Sequence, residues 1–146
     1  MKLFTIGHTK KNLERFVELL KGAGVDAVID IRLNNKSQLA GYSKRDDLRF
    51  LLETCFGIRY LHLPDLAPTA ELLDAYRKGK DWDAYLCGFA ELMRQRDAVR
   101  KALPTIAAFG RPCLLCGEHE PDKCHRRLVA EMIAGELPGA EVCHLR

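Results

Sequence analysis

The sequence lacks any long hydrophobic run. No stretch of its 146 residues approaches the ~20 consecutive apolar residues that a membrane-spanning helix needs. The opening MKLFTIGHTKK has one lysine and then too few apolar residues for a secretory signal. We therefore expect no membrane association and a cytoplasmic location, where cysteines stay reduced.

The chain also lacks internal repeats, low-complexity tracts and a strong charge of either sign. Its net charge of +3 permits an anionic ligand but does not require nucleic acid. The length favours a single domain over residues 1–146. Such a domain buries roughly 70% of its unfolded surface, so it needs no disulfide or metal to fold. Without an export signal, the six cysteines are interpreted as free thiols.

Apolar runs alternate with helical periodicity along the chain. The apolar runs predict five strands, in KLFTIGH, DAVIDIR, IRYLHLP, PCLLCGE and AEVCHLR. Helical patterns include KKNLERFVELLKGAG, SKRDDLRFLLETCFG with Ser43 as its cap, the long WDAYLCGFAELMRQRDAVRKAL, and DKCHRRLVAEMIAG. This alternation predicts an α/β fold: a single three-layer domain with a mainly parallel sheet and helices on both faces.

Polar and reactive residues gather where the predicted strands end. In an open parallel sheet, the carboxyl ends of the strands share one edge, and ligands bind there. The candidates at strand ends are Gly7, His8, Thr9, Asp30, Arg32, His62, Cys116 and Glu118. The last helix adds Cys124, His125 and Arg126. Their convergence on one edge predicts a functional site.

The start of the last helix is an activating position for a thiol. Asp122 suits the cap position, which would place Cys124 and His125 in the first helical turn. A helix N-terminus carries partial positive charge and free backbone N–H groups. Such a position lowers the pKa of a thiol and attracts an oxyanion or a phosphate.

These residue types predict an enzyme acting on an anionic small molecule or a nucleotide. Cys124 or Cys116 would be a nucleophile or redox thiol. His8 or His125 would transfer protons near neutral pH, and Glu118 would orient a histidine or take a proton itself. Arg32 and Arg126 would clamp the anion with their forked donors. The remaining binding candidates are Asp30, Gly7, Thr9 and His62.

A metal site is one alternative. The spacing Cys-x2-Cys-x2-His-x4-Cys-His offers the ligand types that zinc prefers. However, Cys113 and Cys116 lie three apart in a predicted strand, so they point to opposite faces and do not form a chelating pair. A site built from Cys116, Cys124, His125 or His8 remains an alternative.

The sequence defines neither a cofactor nor an oligomeric state. Two further functional alternatives stay open. Cys116 and Cys124 would form a reversible redox pair if their Cα atoms came within ~7 Å. A non-catalytic module would instead bind nucleic acid or a nucleotide through the basic residues Lys36, Lys44, Arg45 and Arg126, with strongly salt-dependent affinity.

The remaining cysteines and aromatic residues have structural interpretations. Thiols behave as small hydrophobic groups, so core positions are expected for Cys55, Cys87, Cys113 and Cys143. Trp82 should anchor packing at a helix start, and Tyr60 should pack within a strand. Tyr42 lies in a polar loop, where it is a candidate ligand contact.

Several motifs occur together in one protein family. TIGHT at the start, DIR after the first helix, GIRYLHLPDL at the third strand and LLCGEHEPDKCHRRLVA near the end resemble the family called domain of unknown function 488. The resemblance covers nearly the whole chain in order, and it implies a small α/β protein with an active site of unassigned reaction. It marks Gly7, His8, Asp30, Arg32, His62, Cys116, Glu118, Cys124, His125 and Arg126. The family usually has serine at the position of Thr9, and threonine keeps the hydroxyl group.

Overall fold

A computed structural model describes residues 1–36 and 38–146. Its strands are β1 (Lys2–Gly7), β2 (Ala27–Asp30), β3 (Arg59–His62), β4 (Pro112–Cys116) and β5 (Glu141–Leu145). These strands form one sheet in the order β3-β2-β4-β1-β5, and every neighbouring pair is parallel. The α/β fold with a mainly parallel sheet is therefore confirmed, and no antiparallel pair occurs among the described strands.

Six α-helices connect the strands within the described part of the chain. They are α1 (Leu13–Gly22), α2 (Arg45–Phe50), α3 (Ala70–Gly79), α4 (Trp82–Arg96), α5 (Ala98–Ala107) and α6 (His125–Glu136). A π-helical turn, Leu51–Cys55, extends α2. Within residues 1–36 and 38–146, no helix combines the length and the apolar character needed to cross a bilayer.

The core divides into two clusters, one on each face of the sheet. Alternation along β4 shows the division, because Leu114 packs in one cluster while Cys113 and Leu115 pack in the other. Helices α4, α5 and α6 cover the Leu114 face. Helices α1 and α2 cover the opposite face. Both faces of the central strands are therefore buried, as their continuous apolar runs predicted.

Side-chain caps begin three of the six described α-helices, α1, α3 and α4. Asn12 caps α1 by accepting the Arg15 backbone N–H at 2.8 Å. The prediction that Ser43 caps α2 is wrong, because Lys44 occupies the cap position and provides no side-chain cap. Ser43 is instead fully buried, and its carbonyl oxygen accepts a hydrogen bond from Arg32.

The long helical pattern after Trp82 is interrupted at Asp97. This residue adopts the left-handed conformation with φ of 51°, so it ends α4 and begins α5. Aspartate tolerates this conformation better than most residues. Trp82 begins α4 and stacks on Tyr85, which confirms its packing role.

Three of the four cysteines expected in the core are exposed. Cys113 is buried in β4, but the predicted burial of Cys55, Cys87 and Cys143 is wrong. Cys87 lies beside the stripe of α4 that faces the sheet, since successive helical residues point about 100° apart. Cys143 lies on β5, an edge strand with one paired neighbour.

Candidate active site

The carboxyl ends of β1, β2 and β4 meet at one edge of the sheet. The His8 backbone N–H donates to the Cys116 carbonyl at 3.3 Å, and the Ile31 N–H donates to the Leu115 carbonyl at 3.1 Å. A cavity of about 490 Å³ opens at this edge. Its lining includes His8, Arg32, Cys116, Glu118, Cys124 and His125. Six of the predicted site residues thus share one cavity.

Two thiols and an imidazole form the centre of this cavity. Cys116 ends β4, Cys124 occupies the N-cap of α6, and His125 is the first residue of that helix. The Cys124 thiol donates to Cys116 Sγ at 2.9 Å, and Cys116 Sγ lies 3.5 Å from His125 Nδ1. All three residues are buried, with Cys116 5% and Cys124 3% exposed.

The start of α6 differs by a few residues from the prediction. Asp122 was expected to cap the helix, but it is exposed, and Cys124 is the cap. The Cys124 backbone N–H donates to the Pro121 carbonyl at 3.3 Å, so the chain completes a turn before the helix begins. His125 is therefore in the first helical turn, whereas Cys124 immediately precedes it.

The hydrogen bonds of His125 define the roles of its two nitrogens. Nε2 lies 2.7 Å from the Ile31 carbonyl oxygen, which only accepts hydrogen bonds, so Nε2 carries a proton. Nδ1 faces Cys116 Sγ. It therefore accepts the thiol proton when the ring is neutral and donates to the thiolate when the ring is charged.

The surroundings of the two thiols shift their pKa values in opposite directions. Hydrogen bonding from Cys124 lowers the pKa of Cys116 well below its ordinary value despite burial, and His125 adds to this effect. The same shared hydrogen bond, together with burial, raises the pKa of Cys124. Burial opposes the charge on His125, but attraction to Cys116 raises its pKa overall. Of the two sulfurs, Cys116 Sγ is the one that is hydrogen-bonded to His125 Nδ1, so Cys116 is the thiol that ionises more readily.

Arg32 extends from the end of β2 into the same cavity. Its Nε and Nη2 donate to the two carboxylate oxygens of Asp30, each at 2.8 Å, and Nη2 also donates to the Ser43 carbonyl at 2.8 Å. The side chain is 4% exposed. Its Nη1 is buried without a hydrogen-bond partner among the described residues. An unmatched buried donor is costly unless a ligand accepts its hydrogen bond.

Asp30 is the fixed counter-charge of Arg32. It also accepts from the Tyr60 hydroxyl, and from Asn35 Nδ2 at 3.2 Å. Burial would raise the pKa of Asp30, but the hydrogen bonds and charge of Arg32 outweigh burial and lower it. Asp30 does not line the cavity, so it positions Arg32.

The cavity walls combine positive charge with apolar surface. Arg32, Arg77, Lys80 and Lys123 line the cavity, and Glu118 is the one carboxylate among the described residues of its lining. The apolar part comes from Leu33, Pro68, Leu73, Tyr76 and Tyr85. This distribution suits an anion that carries an apolar or aromatic group.

His8 occupies a second wall of the cavity. It is half-buried, and burial followed by the charge of Arg32 lowers its pKa. The ring is therefore neutral near neutral pH and able to accept a proton. The Tyr42 hydroxyl shares its single proton between the Lys11 carbonyl at 2.8 Å and the His8 carbonyl at 3.3 Å, which fixes the loop after β1.

The family model for the domain of unknown function DUF488 matches residues 12–133. The chain belongs to the DUF488 family. The matched range includes Asp30, Arg32, Cys116, Cys124 and His125, whereas His8 precedes it. No curated protein and no solved structure matched the chain in the corresponding comparisons.

Arg126 of the DUF488 protein does not line the cavity, although it was predicted to clamp the anion. It is 0% exposed. Nη1 donates to the Glu118 carbonyl, Nη2 donates to the His119 carbonyl at 3.0 Å, and Nε donates to Thr5 Oγ1 at 3.3 Å. Its guanidinium therefore holds the loop that follows β4.

Gly7 and Thr9 also support that loop. A Cβ at Gly7 would overlap with the Glu118 carbonyl oxygen and lie 2.6 Å from Arg126 Nη1, so the close approach of the two segments requires glycine. The Thr9 hydroxyl donates to the Gly117 carbonyl. Both residues shape the cavity through backbone contacts, since neither lines it.

His62 and the surface basic residues lie outside the main cavity. His62 lines a neighbouring depression with Lys36 and Arg45. Arg45 pairs with Asp46 at 3.2 Å, and Lys44 pairs with Asp47 at 3.4 Å. The basic set proposed for nucleic acid is thus divided, because Arg126 is buried and the others lie on the surface.

Sequence reasoning missed several residues of this site. Tyr60 was interpreted as strand packing, yet its hydroxyl binds Asp30, and the register of β2 with β3 brings them together. The Ile31 carbonyl, which orients His125, is a backbone group, so no residue type in the sequence indicates its role. Tyr76 and Lys80 line the cavity from α3 and its C-cap. Their positions depend on the path of the long connection between β3 and β4, which the sequence pattern does not define.

Proposed function

We propose that this DUF488 protein is an enzyme that uses the Cys116 thiolate as a nucleophile toward a small anionic molecule, nucleotides included. The observation that carries the proposal is the line of contacts from Cys116 Sγ through the two nitrogens of His125 to the Ile31 carbonyl. A nucleophile beside a base, with the base oriented by a third group, is the arrangement of thiol-dependent catalysis.

The proton-transfer roles follow from the geometry. His125 takes the proton of Cys116 and is oriented by the Ile31 carbonyl, so it stabilises the thiolate before reaction. His8 lies on the cavity wall and has a lowered pKa, which suits a base acting on bound substrate or water. Glu118 lines the cavity and is exposed, so its carboxylate is accessible both to solvent and to a bound ligand.

The ligand class follows from Arg32. Its Nη1 is a buried donor without a protein partner among the described residues, and Asp30 fixes the plane of the guanidinium. An anionic oxygen would complete its hydrogen bonding at a charge-assisted site. Lys80 and Lys123 add positive charge at the opening and favour the approach of anions.

A metal site is the second candidate function. Cys116, Cys124 and His125 place two sulfurs and a nitrogen within 4.8 Å of one another, and zinc uses such donors. The hydrogen bond from His125 Nε2 to a carbonyl also resembles the support of metal-bound histidines. However, two thiolates on one tetrahedral zinc lie about 3.7 Å apart, given Zn–S bonds of ~2.3 Å. The observed separation of 2.9 Å favours the thiol pair.

The test compares alkylation of Cys116 with alkylation of the exposed Cys55, Cys87 and Cys143 in the same molecule. Iodoacetate, an anion, and iodoacetamide, its neutral analogue, would be reacted separately across about pH 5 to pH 9 and the products mapped by mass spectrometry. Because the pKa of Cys116 is lowered, its alkylation should persist as the pH falls below the ordinary thiol range. The ratio of iodoacetate to iodoacetamide rates should also be higher at Cys116.

The controls separate the thiolate from the metal. His125→Gln should move the onset of Cys116 alkylation to higher pH while leaving the exposed cysteines unchanged. If Cys116 reacts no faster than the exposed thiols and shows the same pH profile, the proposal fails. Stoichiometric zinc in untagged protein, lost in Cys124→Ser, would favour the metal site instead.

A further inference from the structure

Cys124 donates a hydrogen bond to Cys116 but has no covalent role in the mechanism above. Cys124 Sγ and Cys116 Sγ are 2.9 Å apart, and both residues line the cavity. A disulfide requires a sulfur–sulfur distance of about 2.05 Å, so an approach of about 0.9 Å would bond them. Cys124 therefore contacts the proposed nucleophile and also lines the cavity, a position that suits a second reactive thiol.

The two thiols have unequal surroundings that suit consecutive steps. Cys116 faces His125 Nδ1, so it is ionised first and attacks first. Cys124 keeps its proton in the shared hydrogen bond until Cys116 has become bonded to another group. At that point its partner thiolate is gone, and the N-terminus of α6 stabilises the charge that develops on Cys124.

We propose that Cys116 and Cys124 form a catalytic dithiol that reduces small anionic disulfides, a role that rests on the proposed Cys116 thiolate. The Cys116 thiolate attacks one sulfur of the substrate disulfide, forms a mixed disulfide and releases the other half as a thiolate. Cys124 Sγ then attacks Cys116 Sγ, forms the Cys116–Cys124 disulfide and releases the second half. Two electrons pass from the dithiol to the substrate, and the proton of Cys124 leaves with the released thiol or through His125.

An external dithiol completes the cycle by the reverse exchange. Its thiolate attacks the Cys116–Cys124 disulfide, and its second thiol closes a new disulfide within the reductant. The net reaction converts one substrate disulfide and one dithiol into two thiols and one oxidised dithiol.

The cavity determines which disulfides fit. Arg32 and Lys80 favour carboxylate, sulfonate or phosphate groups on the substrate. Tyr76 and Tyr85 provide an aromatic wall next to them. A small disulfide with an anionic group near the sulfur matches this cavity, whereas a neutral disulfide leaves Arg32 Nη1 without a partner.

The test uses two aromatic disulfides of different charge. Dithiobis(nitrobenzoate) carries carboxylates, and dithiodipyridine is neutral. Reduced full-length protein would be mixed with each, quenched with acid and mapped by mass spectrometry. We expect Cys116 and Cys124 to become cross-linked with the loss of two hydrogen atoms and no retained adduct. The exposed Cys55, Cys87 and Cys143 should retain adducts, which makes them internal controls.

Cys124→Ser tests the second step alone. This variant should trap the nitrobenzoate adduct on Cys116, and turnover with a dithiol reductant should be lost. The anionic disulfide should react faster than the neutral one at Cys116, relative to their rates at Cys143. Far-ultraviolet circular dichroism would confirm that the variant is folded.

The outcomes separate the two proposals. If wild-type Cys116 keeps a stable adduct and no cross-link forms, the dithiol role is overturned while the nucleophile role stands. If Cys116 does not react although the exposed cysteines do, both proposals fail. Equal relative rates for the two disulfides would overturn the anionic substrate class.

Discussion

Arg32 and Arg126 are both buried arginines near the carboxyl edge of the sheet, but their guanidinium groups are used differently. Arg126 donates from all three nitrogens to Thr5 and to two loop carbonyls. Arg32 donates from two nitrogens and leaves Nη1 without a partner among the described residues. Arg126 therefore completes the scaffold, and Arg32 has the unpaired donor on which the proposed anion site rests.

The nature of the acceptors explains this difference. Asp30 binds Arg32 side-on through Nε and Nη2, which fixes the guanidinium plane and leaves Nη1 unbonded. The acceptors of Arg126 are neutral oxygens spread around its whole guanidinium. Substitutions should therefore affect stability most at Arg126 and ligand-dependent reactivity most around Arg32.

The largest effect is expected from Arg126→Met. The change leaves two loop carbonyls without their donor, at about 1–3 kcal/mol each, so the free energy of unfolding should fall by about 4 kcal/mol. Urea denaturation would measure it. The control is Arg127→Met, which removes a half-buried ion pair with Glu131 and should cost less than about 1 kcal/mol. Similar losses in the two variants would contradict the scaffold role of Arg126.

Asp30→Asn should destabilise the protein by about 3 kcal/mol at neutral pH, because it leaves the buried charge of Arg32 unpaired. The pKa of Asp30 is lowered in the folded protein, so its ionised form stabilises the fold above the unfolded value of about 3.9. That contribution is lost as the pH falls through the folded pKa. The difference from wild type should therefore shrink in acid.

The control for this comparison is Asp46→Asn. Asp46 forms an exposed ion pair with Arg45, so its loss should change stability by less than about 1 kcal/mol. Urea denaturation at neutral and acid pH would compare the two variants. An Asp30→Asn difference that stays constant with pH would show that Asp30 is not ionised beside Arg32.

Gly7→Ala should affect the contacts of Arg126 and leave those of Arg32 unchanged. The added methyl group displaces the Glu118 carbonyl from Arg126, and such overpacking costs about 1–3 kcal/mol. Gly135→Ala is the matched control, because nothing lies within 4 Å of its added Cβ and alanine favours the helix. Thermal denaturation of both variants would measure the difference. An unchanged Gly7→Ala protein would contradict the close packing of these segments.

The smallest effect is expected at the cavity opening. Lys80→Ala combined with Lys123→Ala should reduce the iodoacetate-to-iodoacetamide rate ratio at Cys116 about threefold at low salt, since exposed charges contribute little and are screened. The paired substitution Lys78→Ala and Lys101→Ala is the control, because these exposed lysines do not line the cavity. An equal reduction in both would indicate a general charge effect.

The sequence was sufficient to predict the sheet and the edge at which the site forms. Continuous apolar runs and interspersed helical patterns led to the parallel α/β arrangement, and strand alternation correctly separated Cys113 from Cys116. His8, Arg32, Glu118, Cys116, Cys124 and His125 were expected at one edge, and they line one cavity. These inferences depended on local patterns and on the common direction of parallel strands.

The direction of each side chain was beyond that reasoning. Arg32 and Arg126 have the same chemistry and both lie near strand or helix ends, so nothing in their local sequence showed which guanidinium would keep an unpaired nitrogen. The difference depends on Asp30 in one case and on a loop bent over Gly7 in the other. Cys143 was misjudged for a similar reason, since an edge strand becomes apparent only when the strand order is known.

The pairing of β1 with β4 brings Gly7 beside Cys116, although the two residues are 109 positions apart along the chain. Contacts between such distant segments form late, because a large loop must close before they gain any stabilisation. The contact between Cys116 and His125 alone spans few residues, but the loop that holds it is anchored through Gly7 and Arg126. The activation that we propose for Cys116 would therefore require the amino-terminal strand β1 to have joined β4.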